Sequence, residues 1–139
     1  MSRRNCLVSG VAVLATSLLF SAVPDGWTAH DLSSSALTIS TGGKYYVTGS
    51  GNAIAVQEGV NCDIALDGVT ISKPAGKSPF TIGDSATVRL CLYGSSVLTA
   101  VDGYSGIALG VDGASLTVSD GDGNLTATGG KAGCGICLL

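Results

Sequence analysis

Four short apolar runs, Ala53-Ile54-Ala55-Val56, Pro79-Phe80-Thr81-Ile82, Gly106-Ile107-Ala108-Leu109 and Gly135-Ile136-Cys137-Leu138, begin 26, 27 and 29 residues apart. A chain that repeats itself at such a period has few folds open to it, because periods of about 20 to 50 residues belong to stacked repeat architectures. Two further sets recur in step. Ile64-Ala65-Leu66, Leu90-Cys91-Leu92 and Leu116-Thr117-Val118 are spaced by 26 both times, and Val69-Thr70-Ile71, Val97-Leu98-Thr99-Ala100 and Asn124-Leu125-Thr126-Ala127 follow them. An earlier half-unit, Leu37 to Gly49, matches Leu116 to Gly129 with one residue fewer, so the pattern starts before Ile54.

Each unit contains three short runs of period 2 separated by Gly, Asp, Ser or Asn, and after Val23 no apolar 3.6-residue period is long enough for a helix. The expected fold is all-β: a right-handed parallel β-helix with about 26 residues and three strands per turn. It would run over residues 37–139, in roughly 3.5 turns. Interior stacks of Ile54, Phe80, Ile107 and Ile136, and of Ile64, Leu90 and Leu116, are expected. One turn buries too little apolar surface to fold alone, so stability comes from stacking. Because Gly-Ile-Cys-Leu-Leu139 falls inside a fourth first-strand, the solenoid is expected to continue into further turns.

The chain opens with Arg3 and Arg4 followed by a largely apolar run from Cys6 to Val23. A basic n-region and an apolar h-region make residues 1–23 an expected signal peptide, with cleavage within 22–30, and 24–36 an N-terminal cap segment. The expected location is secreted or at the cell surface. From Asp31 onward nine acids face five bases, and nucleic acid is not an expected partner, since phosphate binding calls for clustered Lys and Arg.

The outward residues of the first strand would be Ala55, Thr81, Ala108 and Cys137, a small and nearly chargeless face. On the second strand Asp63, Arg89 and Ser115 would stack outward, with Ala65, Cys91 and Thr117 in the adjoining row. The segment "SDGDGNLTATGG", 119–130, places Asp120, Asp122 and Asn124 at positions 1, 3 and 5 of a calcium-loop pattern. The pattern then fails, with Leu125 where Gly and Lys131 where Glu is needed. A glycine corner, with positive φ at Gly121 and Gly123, is the favoured reading and a weak surface calcium site the alternative. No cofactor is required.

Catalysis has little support. His30 is the one histidine, the acids fall mostly in corners, and Cys134 and Cys137, three apart in a strand, would point to opposite faces. No catalytic residue is assigned. A long flat β-surface suits a polymer, and Tyr46, Tyr93 and Tyr104 are candidate sugar-stacking residues, with Tyr46 facing out if Tyr45 and Val47 face in.

At "GKYYVTGSG", "IALDGVTIS", "LYGSSVLTA" and "LTATGGKAGCGI" the sequence resembles bacterial secreted carbohydrate-binding β-helix proteins of the pectate-lyase-like superfamily. The resemblance covers about Leu37 to Leu139. It implies a right-handed parallel β-helix on or outside the cell that binds polysaccharide, acidic polymers included, sometimes with calcium. The lyases of that superfamily carry acidic calcium ligands and a basic residue on one strand face, which the Ala55, Thr81, Ala108, Cys137 face lacks. The expected function is a non-catalytic polysaccharide-binding or surface-adhesion module, the alternatives being a structural stalk of a larger surface protein and a polysaccharide lyase or glycoside hydrolase.

Overall fold

A computed structural model describes residues 23–119 and 121–138, so residues 1–22 of the expected signal peptide and Asp120 lie outside the described residues. Every regular element described is a strand. In chain order these are β1 (Thr28–Asp31), β2 (Leu37–Ile39), β3 (Gly43–Thr48), β4 (Ile54–Val56), β5 (Asn61–Asp67), β6 (Thr70–Ser72), β7 (Phe80–Ile82), β8 (Thr87–Tyr93), β9 (Ser95–Thr99), β10 (Ile107–Leu109), β11 (Ser115–Ser119), β12 (Asn124–Thr128) and β13 (Ile136–Leu138). They form three parallel sheets, ordered β1-β3-β5-β8-β11, β2-β4-β7-β10-β13 and β6-β9-β12. Each strand therefore pairs with its equivalent one turn along, and the chain is a parallel β-solenoid.

The first interior stack is as expected: Ile54 pairs with Phe80, Phe80 with Ile107 and Ile107 with Ile136. Ile54, Phe80 and Ile107 are fully buried, whereas Ile136, on the outermost strand of its sheet, is 50% exposed. Their intervening residues Ala55, Thr81 and Ala108 align on the outer side, with Cys137 in the same row.

The second stack is shifted by two residues at its last member. Leu90 pairs with Val118, not Leu116, and Leu116 pairs with Val88. Consequently Thr117 follows Arg89 in one outer row, and Ser119 follows Cys91 in the next. The slip is an even number, so it leaves inward residues inward, and a repeat count alone does not detect it. The half-unit match is likewise corrected. Leu37–Ile39 joins the sheet of β4, while its sequence counterpart Leu116–Val118 lies in the sheet of β8.

Turn length also varies. Thr28 pairs with Tyr45 and Leu37 with Ile54, 17 residues on, and Tyr45 with Ile64, 19 on; only from Ile54 does the spacing reach 26. The early turns carry two strands, the third sheet being represented there by a single bridge between Ser50 and Thr70. The segment expected as a cap contains β1, which pairs parallel with β3, and the fully buried Leu32.

Corner chemistry sets these lengths. Gly94 alone separates β8 from β9 at φ +67°, a left-handed conformation that glycine adopts without steric penalty. The equivalent corner between β11 and β12 takes residues 120–123. Gly123 lies outside the left-handed region, contrary to the positive φ expected of it. What requires glycine there is close approach, since an added Cβ would lie 2.6 Å from the Tyr93 carbonyl carbon.

The core is aliphatic around Phe80, and of the four buried polar residues described, Asp63, Ser78, Ser96 and Ser119, Ser96 alone is fully buried. Ser96 is fully buried on β9, and its Oγ accepts the Val69 N–H at 3.0 Å. Ser96→Ala should lower the unfolding free energy by about 1 to 3 kcal/mol, the usual effect of stranding a buried donor. Leu90→Asp should abolish folding by placing an unpaired charge between turns. Urea unfolding followed by far-ultraviolet circular dichroism checks both.

Candidate functional site

Among the described residues, the aromatic and ionic contacts gather on the outer face of the five-stranded sheet β1-β3-β5-β8-β11. Strand alternation sends Lys44, Asp63, Arg89 and Thr117 outward in one row, and Ala29, Tyr46, Ala65, Cys91 and Ser119 in the next. Asp67 and Tyr93 pair in a third.

Tyr46 does face outward, as its alternation with Tyr45 and Val47 implies, yet it is only 8% exposed. The small Ala65 beside it lets the ring lie along the sheet, where its hydroxyl donates to Asp67 Oδ2 at 2.7 Å. Tyr93 stacks on it with ring centroids 6.4 Å apart and planes 21° from parallel, and Trp27 meets it edge-on at 6.5 Å and 85°. Together the three rings cover Ala65 and Cys91, forming a small second hydrophobic cluster on the outside of the solenoid. Offset and edge-on arrangements are the favoured ones for aromatic quadrupoles.

Charged groups frame the row. Lys44 Nζ sits 5.7 Å from the Trp27 ring centroid, a cation–π contact. Asp63 and Arg89 pair across neighbouring turns, with Arg89 Nε 2.7 Å and Nη2 2.6 Å from Asp63 Oδ1. The pair is asymmetric: the Arg89 side chain is largely in solvent and that of Asp63 is largely covered. A shallow hollow of about 300 Å³ lies here, edged by Lys44, Asn61, Asp63 and Arg89.

Burial, and then the Asp67 carboxylate accepting its proton, push the Tyr46 phenol well above the usual tyrosine range. Burial and then Asp122 and Asp67 push Tyr93 the same way. Both rings are thus held neutral as hydrogen-bonding aromatics. Asp63 and Asp67 are each engaged by a neighbour, so this face presents ring surfaces and polar edges rather than a nucleophile beside a base.

Of the sequence candidates, Tyr46 and Tyr93 are brought together. Tyr104 is not: it lies in the corner between β9 and β10, 38% exposed. Asp122 is exposed near Tyr93 and Asn124 begins β12, but Asp120 lies outside the described residues. No three His, Cys, Asp or Glu side chains converge as a metal site among the described residues. Cys134 and Cys137 correct another expectation, for they form a disulfide with Cα atoms 5.9 Å apart. Cys134 precedes β13, in the corner rather than the strand, so strand alternation does not separate the two. His30 lies on β1, where its Nε2 donates to the Ser35 carbonyl at 2.9 Å.

Sequence reasoning missed Trp27 and Asp67 as members of the face. Comparison with protein-family models, with curated proteins and with solved structures gives no match.

The raised phenols make stability alkali-sensitive. A group whose folded pKa exceeds its unfolded value contributes fully below the unfolded value and loses that contribution as pH rises. For Tyr46 and Tyr93 the loss begins above about pH 10. For Cys62, whose buried thiol is pushed up to about 11 from 9.0, it falls between those two values. Unfolding free energy should therefore be insensitive to these groups from pH 7 to 9 and decline above. Tyr46→Phe should lower stability at pH 7 by about 1 kcal/mol through the lost hydrogen bond. It should also shallow the alkaline decline, as urea unfolding at stepped pH would show.

Proposed function

We propose that this chain is a non-catalytic polysaccharide-binding or surface-adhesion module of an exported bacterial β-solenoid protein, with the outer face of the five-stranded sheet as its glycan surface. The single observation that carries the reading is the row Trp27–Tyr46–Tyr93, two successive ring separations of 6.5 and 6.4 Å on the outer face of a parallel sheet. Sugar rings offer apolar faces and hydroxyl edges. An aromatic row supplies the matching apolar surface, and Lys44, Asn61 and Arg89 beside it supply polar contacts.

The sequence resemblance to secreted carbohydrate-binding β-helix proteins supports the same class of ligand, and the basic, apolar leader supports export. Tyr46 contributes by positioning, since its hydroxyl is committed to Asp67 and its ring is mostly covered. Trp27 and Tyr93, both half-buried, are the rings with surface to offer a ligand. A calcium ion at Asp120, Asp122 and Asn124 belongs to the proposal as an auxiliary contact rather than a requirement.

Affinity electrophoresis against acidic and neutral polysaccharides, with and without calcium, tests this. Retardation by at least one polymer is expected. Trp27→Ala or Tyr93→Ala should weaken it about 30-fold, equivalent to about 2 kcal/mol for an aromatic anchor, and Tyr104→Ala should leave it unchanged. No retardation with any polymer would favour a purely structural stalk. Reducing ends or unsaturated products released in the same samples would overturn the non-catalytic reading in favour of a lyase or hydrolase.

A further inference from the structure

On a different side of the solenoid, past the ends of β6, β9 and β12, a groove of about 410 Å³ spans three consecutive turns. Ser72, Thr99 and Thr128 are register partners across those turns. The groove lies where the chain leaves them, edged by Thr99, Thr128, Asp102, Lys73 and Lys131. Its middle turn contributes the buried Ala100, a small residue that leaves the space open.

The donors here are unspent. The backbone groups are used in the ladder: Lys73 N–H donates to the Thr99 carbonyl at 2.7 Å and Ala100 N–H to the Thr128 carbonyl at 2.9 Å. The Thr99 and Thr128 hydroxyls and the Lys73 and Lys131 ammoniums, by contrast, have no protein partner among the described residues. Asp102 is committed, since its Oδ1 accepts the Lys131 backbone N–H at 2.9 Å and so fixes that corner. Two ammoniums against one occupied carboxylate make the groove locally cationic in a chain whose net charge is -3.

Lys73 is moreover held at φ 50°, a left-handed conformation in which glycine would be unstrained. The residues that follow the equivalent strand ends in the next two turns are Ala100 and Gly129, neither of them charged. The left-handed backbone sets Lys73 at the rim of the groove, and a glycine there would keep the turn while removing the cation.

We infer that this groove binds a phosphoryl group, free or as a monoester on a larger ligand, between Lys73 and Lys131 with the Thr99 and Thr128 hydroxyls donating to it. Lysine acts as a point charge toward a phosphoryl oxyanion, and the two threonine hydroxyls add neutral donors for its remaining oxygens. The two lysines belong to turns about 9.6 Å apart along the stack, and their flexible stems allow both ammoniums to reach one bridging group.

The test is a nitrogen-15 NMR titration of the whole chain at pH 7 with inorganic phosphate, glucose 6-phosphate and acetate in separate arms. Saturable shifts at the Lys73, Ala100 and Lys131 amides are expected with a phosphoryl ligand, and the tighter of the first two arms tells the free ion from the ester. Lys73→Gln and Lys131→Gln should each weaken binding about fivefold, as loss of one charged contact does, and added sodium chloride should weaken it further. Lys73→Gly separates a binding role from a structural one: it should keep or raise the melting temperature, yet weaken phosphate as much as Lys73→Gln. Absence of saturable shifts, an equal response to acetate, or unchanged titration of the lysine variants would overturn the assignment. Trp27→Ala should titrate like the unaltered chain, so the glycan surface and the groove stand or fall separately.

Discussion

The backbone ladder between successive turns is the interaction on which everything else in this protein depends. A single turn of short strands has unpaired N–H and C=O groups on both edges and an interior open above and below. Stacking satisfies both at once, and its effect is collective: Phe80 is fully buried because Ile54 and Ile107 lie directly above and below it. Where the ladder stops, burial stops with it. The register partners Ile107 and Ile136 have a paired strand on both sides and on one side respectively, and they are 0% and 50% exposed.

Register on the inside organises chemistry on the outside. Because register shifts by even numbers only, every outward row is a column of residues one turn apart, and a function can be written into a column. The aromatic cluster needs Tyr46 next to Ala65 and the pairing of Asp67 with Tyr93, which the second turn, 19 residues long, and the third, 26 long, deliver despite their unequal lengths. Corners absorb the difference. Left-handed glycine at Gly94 lets the chain turn in one residue, and the longer connection between β11 and β12 changes the count outside the sheets at Gly121, Asp122 and Gly123. Length variation is thereby confined to loops, where it can carry binding groups such as Lys73 and Lys131 without disturbing the core.

Much of this was legible in the sequence, and the remainder has identifiable reasons. The period and the inward position of Ile54, Phe80 and Ile107 could be read because alternation and repetition are local signals. The Leu116 register could not, since Leu116 and Val118 are both aliphatic and two apart, so that either satisfies an inward column; corner length decides, and that is a three-dimensional quantity. The Leu37 half-unit misled for a related reason, because strands of different sheets share composition. Tyr46 was rightly placed outside, but its burial depends on Trp27 and Tyr93, which are remote in sequence. Ser96, two residues after Gly94, carries no sequence signal of its own, and only the position of the Val69 amide reveals why it is buried. Cys134 and Cys137 were judged by strand rules, though Cys134 stands in a corner.

The most direct test of the central claim is the pairing of β8 with β11, which depends on the ladder and the corner together. In a backbone nuclear Overhauser spectrum of the folded protein, the account predicts parallel-strand cross-peaks linking Leu90 with the neighbourhood of Val118, and Cys91 with that of Ser119. Cross-peaks tying Leu90 to Leu116 instead, or an antiparallel pattern between these strands, would contradict it.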